Sequence, residues 1–432
     1  MSNSLRLFQA VSVVALAALI GPAASLAQDN DKFDQIAAET SEARQLSITE
    51  DIVEAFLSRD ELQQRLLSDL ATDYPAEEAA ADERALKAFG LLAEDVTLTD
   101  LVLELYTEQI AGFYDPETNE MYLIGDDAEV DAEEEFTYAH EVIHALQDQA
   151  FDLMKVQEPV LDGTDDDRAI AITALIEGDA VVGSVEYVLR HPVLAGRLAL
   201  AGVTETPVFD TAPPILTQSL LFPYLAGQGF VTTIRGENGW ESVDAVYSDP
   251  PASTEQVLHP EKYIDRDDPT AVTLPDLATA LGAGWTKAEE NNFGEFQTSV
   301  LLANLAPGEG FDATSGFDLP EEATAGAAGW DGDRYAVWAN GDQDVVIWRS
   351  VWDSADEAME FSGALQNRDE ARFDGLFEGE TPDQVALVVD GFAARINVSG
   401  AEVTYVLAPT LELVDAAMGA VGDTAGIPEA GA

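Results

Sequence analysis

Two histidines four residues apart enclose a glutamate in the run His140-Glu141-Val142-Ile143-His144. Phe136, Ala139, Ile143 and Leu146 recur around it at helical spacing, which predicts a helix from about Ala132 to Gln149. On a helix, positions four apart share a face, so both imidazoles can bind one metal ion. Glu141 is then placed to act as general base toward water activated by that metal. The chain has only four histidines in 432 residues, and two of them are here. The plain alternative, a surface helix with two incidental histidines, leaves the spacing unexplained.

The chain has no cysteine, so zinc would have to be held by His, Asp or Glu. A catalytic zinc wants a third protein ligand and an open position. Ala174-Leu175-Ile176-Glu177-Gly178-Asp179-Ala180 places two carboxylates inside an apolar helix expected over Arg168–Leu189 and ended by His191-Pro192. Burying a carboxylate costs several kcal/mol unless it is paired or binds a metal. Glu177 is therefore the expected third ligand, and Gly178 would let two helices approach closely. Asp179 is expected either to accept the second ring N–H of a histidine or to face solvent. Asp148, four residues after His144, competes for the same role. His259, Tyr114 and Tyr187 are candidate donors to an oxyanion, each with packing or loop fixing as its plainer use.

The stretch from Tyr138 through His140-Glu141 to Gln149, followed by Glu177-Gly178-Asp179-Ala180, resembles the gluzincin branch of the zincin metallopeptidases. That resemblance implies one zinc per chain on His140, His144 and Glu177, with Glu141 as general base. Val181 stands where the thermolysin-like pattern has aspartate, so thermolysin's substrate rules are not carried over. The wider chain, with Gly112-Phe113-Tyr114-Asp115-Pro116, the run Ser253 to Pro260 and Gly329-Trp330, is similar to uncharacterised secreted or membrane-anchored bacterial and archaeal proteins.

These residues need elements to hold them. The expected fold class is α+β: a mainly helical zincin-like domain with a small β-hairpin or sheet, and a small C-terminal α+β domain. Residues 28–110 read as a helical N-terminal region, either a propeptide or a permanent part of the fold. In it Ile52, Val53, Phe56 and Leu57 recur at helical spacing, as do Leu62, Leu66, Leu67 and Leu70, and Pro75 breaks the run. Residues 111–305 are the expected catalytic region with a helical extension. It opens with strands Ala111–Tyr114 and Glu120–Ile124, a hairpin that is either structural or able to take an extended peptide by β-addition. Further helices are expected over 213–245, Leu274–Leu281 and Glu295–Leu305, with Ser248–Pro260 as a loop. The Gly/Ala/Pro-rich segment 306–328 reads as a linker. Residues 329–421 form the C-terminal domain, with five strands, a helix capped by Ser354 and a closing helix Leu411–Val421. Trp330, Trp338, Trp348 and Trp352 there are core or a binding face.

The net charge of −62 comes from 82 acidic and 20 basic residues. It disfavours nucleic acid and anionic membranes and leaves a peptide or protein as the expected substrate partner. Only 5 of the 20 basic residues are lysine, which points to a halophilic source, an ordinary acidic secreted protein being the alternative. The acidic runs Glu133–Glu135 and Asp165–Asp167 read as solvated, the second lacking EF-hand spacing for calcium. Asn397-Val398-Ser399 is a weak glycosylation match in a predicted strand. Residues 1–27 read as a signal peptide, with Arg6, the apolar Val13–Ile20 and a cleavage site after Ala27. No later stretch is long enough to span a bilayer, so the mature chain is expected to be secreted or in the periplasm or cell envelope, without stable membrane insertion. The expected function is a secreted zinc metallopeptidase. An aminopeptidase is disfavoured by the missing Gly-x-Met-x-Asn. The alternative from another class is a non-catalytic zinc-containing envelope or peptide-binding protein, against which the intact Glu141 argues.

Overall fold

A computed structural model describes residues 30–125, 131–200, 206–312 and 316–422. The expected signal peptide lies outside these residues. Helix α1 (Asn30–Arg44) is followed by strand β1 (Val53–Leu57) and helices α2 (Arg59–Asp73), α3 (Ala76–Phe89) and α4 (Leu98–Gln109). Ser58 and Glu61 form a capping box that starts α2, and Gly90 ends α3 in the left-handed region at φ 73°. One element departs from the sequence pattern. Ile52, Val53, Phe56 and Leu57 were expected on a helix, but residues 53–57 are a strand paired in parallel with 120–124. Ser58 starts a new helix directly after them, so the run is too short to close helical turns, and its backbone is satisfied across the sheet.

Strands β2 (Gly112–Asp115) and β3 (Glu120–Ile124) form the expected hairpin, and β1 extends it to a sheet of order β1-β3-β2. Helix α5 (Ala132–Phe151) starts from a capping box of Asp131 and Glu134. It is followed by α6 (Leu153–Gln157), α7 (Asp166–Arg190), α8 (Pro192–Leu198), α9 (Pro214–Asn238) and α10 (Trp240–Val246). The expected loop 248–260 holds α11 (Thr254–Leu258), and α12 (Pro260–Asp265) and α13 (Ala278–Leu281) follow.

The remaining elements are β4 (Thr286–Asn291), α14 (Gly294–Ala303), β5 (Phe311–Asp312), β6 (Gly316–Phe317), α15 (Glu321–Ala327), β7 (Trp330–Asn340), β8 (Gln343–Trp352), α16 (Ala355–Phe373), β9 (Glu378–Thr381), β10 (Gln384–Val389), β11 (Phe392–Ser399), β12 (Glu402–Ala408) and α17 (Leu411–Gly422). Seven of these strands form an antiparallel sheet of order β4-β7-β8-β12-β11-β10-β9. Side chains alternate along its strands: Tyr335 and Val337 join one apolar cluster with α14 and α16, and Ala336 and Trp338 join another with α13 and α17. All four C-terminal tryptophans are buried, so they are core rather than a binding face. Asn397 sits in β11 between two paired strands. The expected linker at 306–328 is corrected. The sheet already begins with β4 upstream of it, and α15 within it packs between α14 and α16. The fold is mixed α+β, and no described helix is long and apolar enough to cross a membrane.

The N-terminal region is built into this fold. Besides β1, the side chain of Arg44 is fully buried and bonds to Asp179 of α7 at 2.5 and 3.0 Å. Helices α7 and α9 cross with no side chain between them. A Cβ on Gly178 would lie 2.2 Å from the Gly227 carbonyl carbon, and one on Gly227 would lie 2.1 Å from the Ala174 oxygen. Gly229 on the same helix has nothing within 4 Å of that position. Gly227→Ala should therefore destabilise the protein by about 1–3 kcal/mol or more. Gly229→Ala should be neutral or stabilise by up to about 1 kcal/mol. Denaturant midpoints of the two variants check this, and equal midpoints would refute the close crossing.

Candidate metal centre

Helix α5 puts His140 and His144 on one face, with ring centroids 4.8 Å apart. Helix α7 brings Glu177 to them, its Oε2 lying 3.1 Å from His140 Nε2 and 3.3 Å from His144 Nε2. One ligand atom from each residue falls within 4.8 Å of the others, a set that can hold a metal ion. None of the three is more than 1% exposed. Burial works against charge at His144, but the facing Glu177 and Glu141 carboxylates win and raise it to about 9. Burial likewise works against Glu177, which the two histidines bring down to about 2. His140 is pushed down by burial. The arrangement therefore calls for positive charge between the rings and the carboxylate, which a divalent cation supplies.

Local hydrogen bonds fix which nitrogen faces this point. Gln147 Nε2 donates to the Ile176 carbonyl at 2.9 Å, so its Oε1 is the atom turned to His144 Nδ1, also at 2.9 Å. An acceptor there puts the ring proton on Nδ1 and leaves the Nε2 lone pair for a metal. Gln147 thus does the orienting expected of Asp179 or Asp148, and both of those assignments are corrected. Asp179 neither faces solvent nor reaches a histidine: it binds Arg44 and accepts from the Tyr247 hydroxyl at 2.7 Å. Asp148 accepts from the Tyr114 hydroxyl at 2.9 Å and from Leu153 N, which ends α5 and starts α6. A helix-face argument cannot separate these residues, because the choice depends on where α7 passes.

Glu141 is fully buried, and neither of its oxygens has a hydrogen-bond partner. Burial raises its carboxyl to about 8, opposed by His144 and, least, by the backbone N–H of Tyr114. Burial, with the charges of Glu177 and Glu141, raises the hydroxyl of Tyr224, on α9 one turn before Gly227, well above its usual value, and this hydroxyl bonds to Glu177. Its ring lies 6.1 Å from that of His140.

The three sequence candidates for an oxyanion donor are placed elsewhere. His259 Nε2 contacts Glu295 at 3.0 Å, the Tyr114 hydroxyl goes to Asp148, and the Tyr187 hydroxyl donates to Glu135. Tyr224 was missed because nothing local marks it; the only signal was a hydroxyl one turn from a glycine in an apolar helix. The acidic run 165–167 is structural: Asp165 caps α7 and buried Asp167 accepts from Thr254 N and Oγ1.

Residues 281–418, which span the seven-stranded sheet and its helices, match a family described as a domain of unknown function (DUF8575). The match does not reach the metal centre. Neither a curated protein nor a solved structure matches the chain.

Gln147→Ala should weaken metal binding about 10- to 100-fold, measured by competition for Zn²⁺ with a chelating dye, and unchanged affinity would show that the amide does not set the tautomer. Arg44→Met strands the buried Asp179 and should cost about 3–5 kcal/mol of stability. Adding Asp179→Asn should return part of that loss, as read from denaturation curves.

Proposed function

We propose that the protein is a zinc-dependent metallopeptidase that hydrolyses peptide bonds, with one zinc held by His140, His144 and Glu177. The observation that carries this reading is Glu141: a buried carboxylate with both oxygens unpartnered, one position after a ligand. Such a group costs several kcal/mol and has no structural use, whereas a general base needs free oxygens. The donor set of two imidazoles and a carboxylate suits zinc, and the resemblance to gluzincins supports the same assignment. When bound, zinc supplies a Lewis acid that acidifies water and polarises a carbonyl. Glu141 accepts the proton of the attacking water and returns it to the leaving nitrogen. Tyr224, whose hydroxyl meets Glu177, is our candidate donor to the carbonyl oxygen as it gains charge.

The edge of β2 supports a peptide substrate. Ala111 O accepts from Ile124 N, so by alternation Gly112 and Tyr114 turn their backbone groups away from β3, toward the side of β2 that pairs with no strand of this sheet. Tyr114 N–H acts on Glu141 from that edge. An extended chain pairing there runs past the metal centre. The second reading, a zinc held for structure, is favoured by the burial of every ligand and of Glu141.

Zinc content of wild type and Glu177→Ala tests the metal, with about one zinc per chain expected in wild type and a clear loss in the variant. Glu141→Gln should retain zinc and lose about 10²- to 10⁴-fold of peptide-library cleavage. Tyr224→Phe should lower kcat about 10²-fold with little change in KM. Zinc-loaded wild type that cleaves no peptide, or a Glu141→Gln variant that cleaves equally well, would favour the structural reading.

A further inference from the structure

The chain contains 82 acidic residues in 432, yet from Tyr187 to Thr204 it has none, and this stretch carries Arg190, His191 and Arg197. Of the two other long acid-free runs, residues 1–28 precede the described chain, and Thr211 to Gly236 is mostly α9, whose apolar side chains lie largely in the core. The described part of the first run, 187–200, holds the end of α7 and all of α8, at the surface. Its outer face holds the three most exposed large hydrophobic residues among those described: Leu200 at 88%, Val193 at 80% and Leu189 at 73%. Pro192, Gly196 and Ala199 are exposed beside them, and Arg197 is exposed too. On its inner side α8 is held by Leu194, in one apolar cluster with Phe33, Ile36 and Tyr138, so the outer face is presented by a fixed helix.

The start of the described chain lies at the same end. Lys32 and Tyr187 both bind Glu135, at 3.2 and 3.1 Å, which sets the first turn of α1 beside the last turns of α7. In the uncleaved chain, the segment that carries the apolar stretch Val13–Ile20 therefore enters the fold next to this patch.

We propose that the α7–α8 face is a peripheral contact for a phospholipid surface. Exposed leucine and valine beside Arg197, with Glu186 and Glu39 taken up by Arg190 and His191, is a composition that enters the interface between headgroups and acyl chains. The sign of the remaining charge makes a distinctive demand. At low salt the −62 chain is repelled by an anionic bilayer. At about 1 M salt repulsion is screened beyond roughly 3 Å, and the local apolar contact decides. Association should therefore strengthen as salt rises, the reverse of ordinary basic peripheral proteins. The proposal does not depend on the zinc reading.

The absence of cysteine makes a clean test possible on the full chain. Val193→Cys carries an environment-sensitive fluorophore on the patch, and Val388→Cys, 60% exposed on β10, carries the control. Each is mixed with phosphatidylcholine vesicles, with or without phosphatidylglycerol, from low to about 1 M salt and above. A blue shift at position 193 that grows with salt and is quenched by spin-labelled lipid, with position 388 unmoved, is expected. Adding Leu189→Gln and Leu200→Gln should reduce it about tenfold or more. Tethering by the N-terminal segment alone leaves the two positions alike, and that outcome overturns the proposal. So does the lack of any shift at all salt concentrations. A concentration-dependent shift at 193 without vesicles, in a chain that runs as a dimer, makes the patch a subunit interface and equally overturns it.

Discussion

Four ionisable side chains, His140, Glu141, His144 and Glu177, lie in the dry crossing of α5 and α7, none more than 1% exposed. Two carboxylates and two imidazoles cannot be buried together cheaply, and the surrounding apolar residues, among them Tyr138, Val142, Ile143, Leu175 and Ile176, offer them nothing. A shared cation would resolve the conflict, and much of the local architecture serves to bring these side chains to one point. Gly183 lets Ile143 of α5 press against α7, since a Cβ there would sit 2.6 Å from Ile143 Cδ1. The glycine crossing of α7 and α9 draws the Tyr224 hydroxyl in from above. Gln147 locks one ring by holding a carbonyl of α7, so the helix that supplies the third ligand also sets the tautomer of the second.

The scarcity of basic residues makes the position of each one informative. Several serve as internal ties rather than surface charge. Arg44 joins α1 to Asp179 and stacks over Trp240 with its guanidinium 4.2 Å from the ring. Arg84 reaches the β7–β8 turn at the Gly341 carbonyl and Asp344, and buried Arg368 donates to the carbonyl of Phe89. Lys262 joins Glu255 to Asp353, at 2.6 and 2.7 Å. These ties link the helices around the metal centre and the N-terminal helices to the seven-stranded sheet. His259 belongs to this junction through Glu295, which explains its presence without a catalytic role. The same junction is pinned by Asp333, which accepts from the backbone of Phe293 and Gly294 and from the indoles of Trp330 and Trp348. With so many cations turned inward, the exterior is left dominated by carboxylate, and an acid-free apolar face such as α8 stands out against it.

Much of this was legible in the sequence because it is local. The spacing of His140 and His144 depends only on helix geometry, and the cap at Ser354 starts its helix from a side chain three residues away. The cost of a carboxylate in an apolar helix singled out Glu177, and Gly178 foretold a close helix contact without naming the partner. The apolar run at 335–339 read as a strand, and the structure covers it on both faces.

What required the tertiary structure is every choice between chemically equivalent residues. Asp179 and Asp148 are as good as Gln147 by type and helix position, and only the path of α7 past Gln147 and of α1 past Asp179 separates them. Tyr114, Tyr187 and Tyr224 are alike in composition, and the Gly178–Gly227 crossing alone brings the last of them to the metal ligands. Val53–Leu57 is a strand because β3 lies beside it, and 286–291 joins the sheet because β7 does. Local spacing determines which side chains share a face. Which of them meet across the fold is decided by helix crossings and strand partners distant in sequence, and no short-range pattern encodes those.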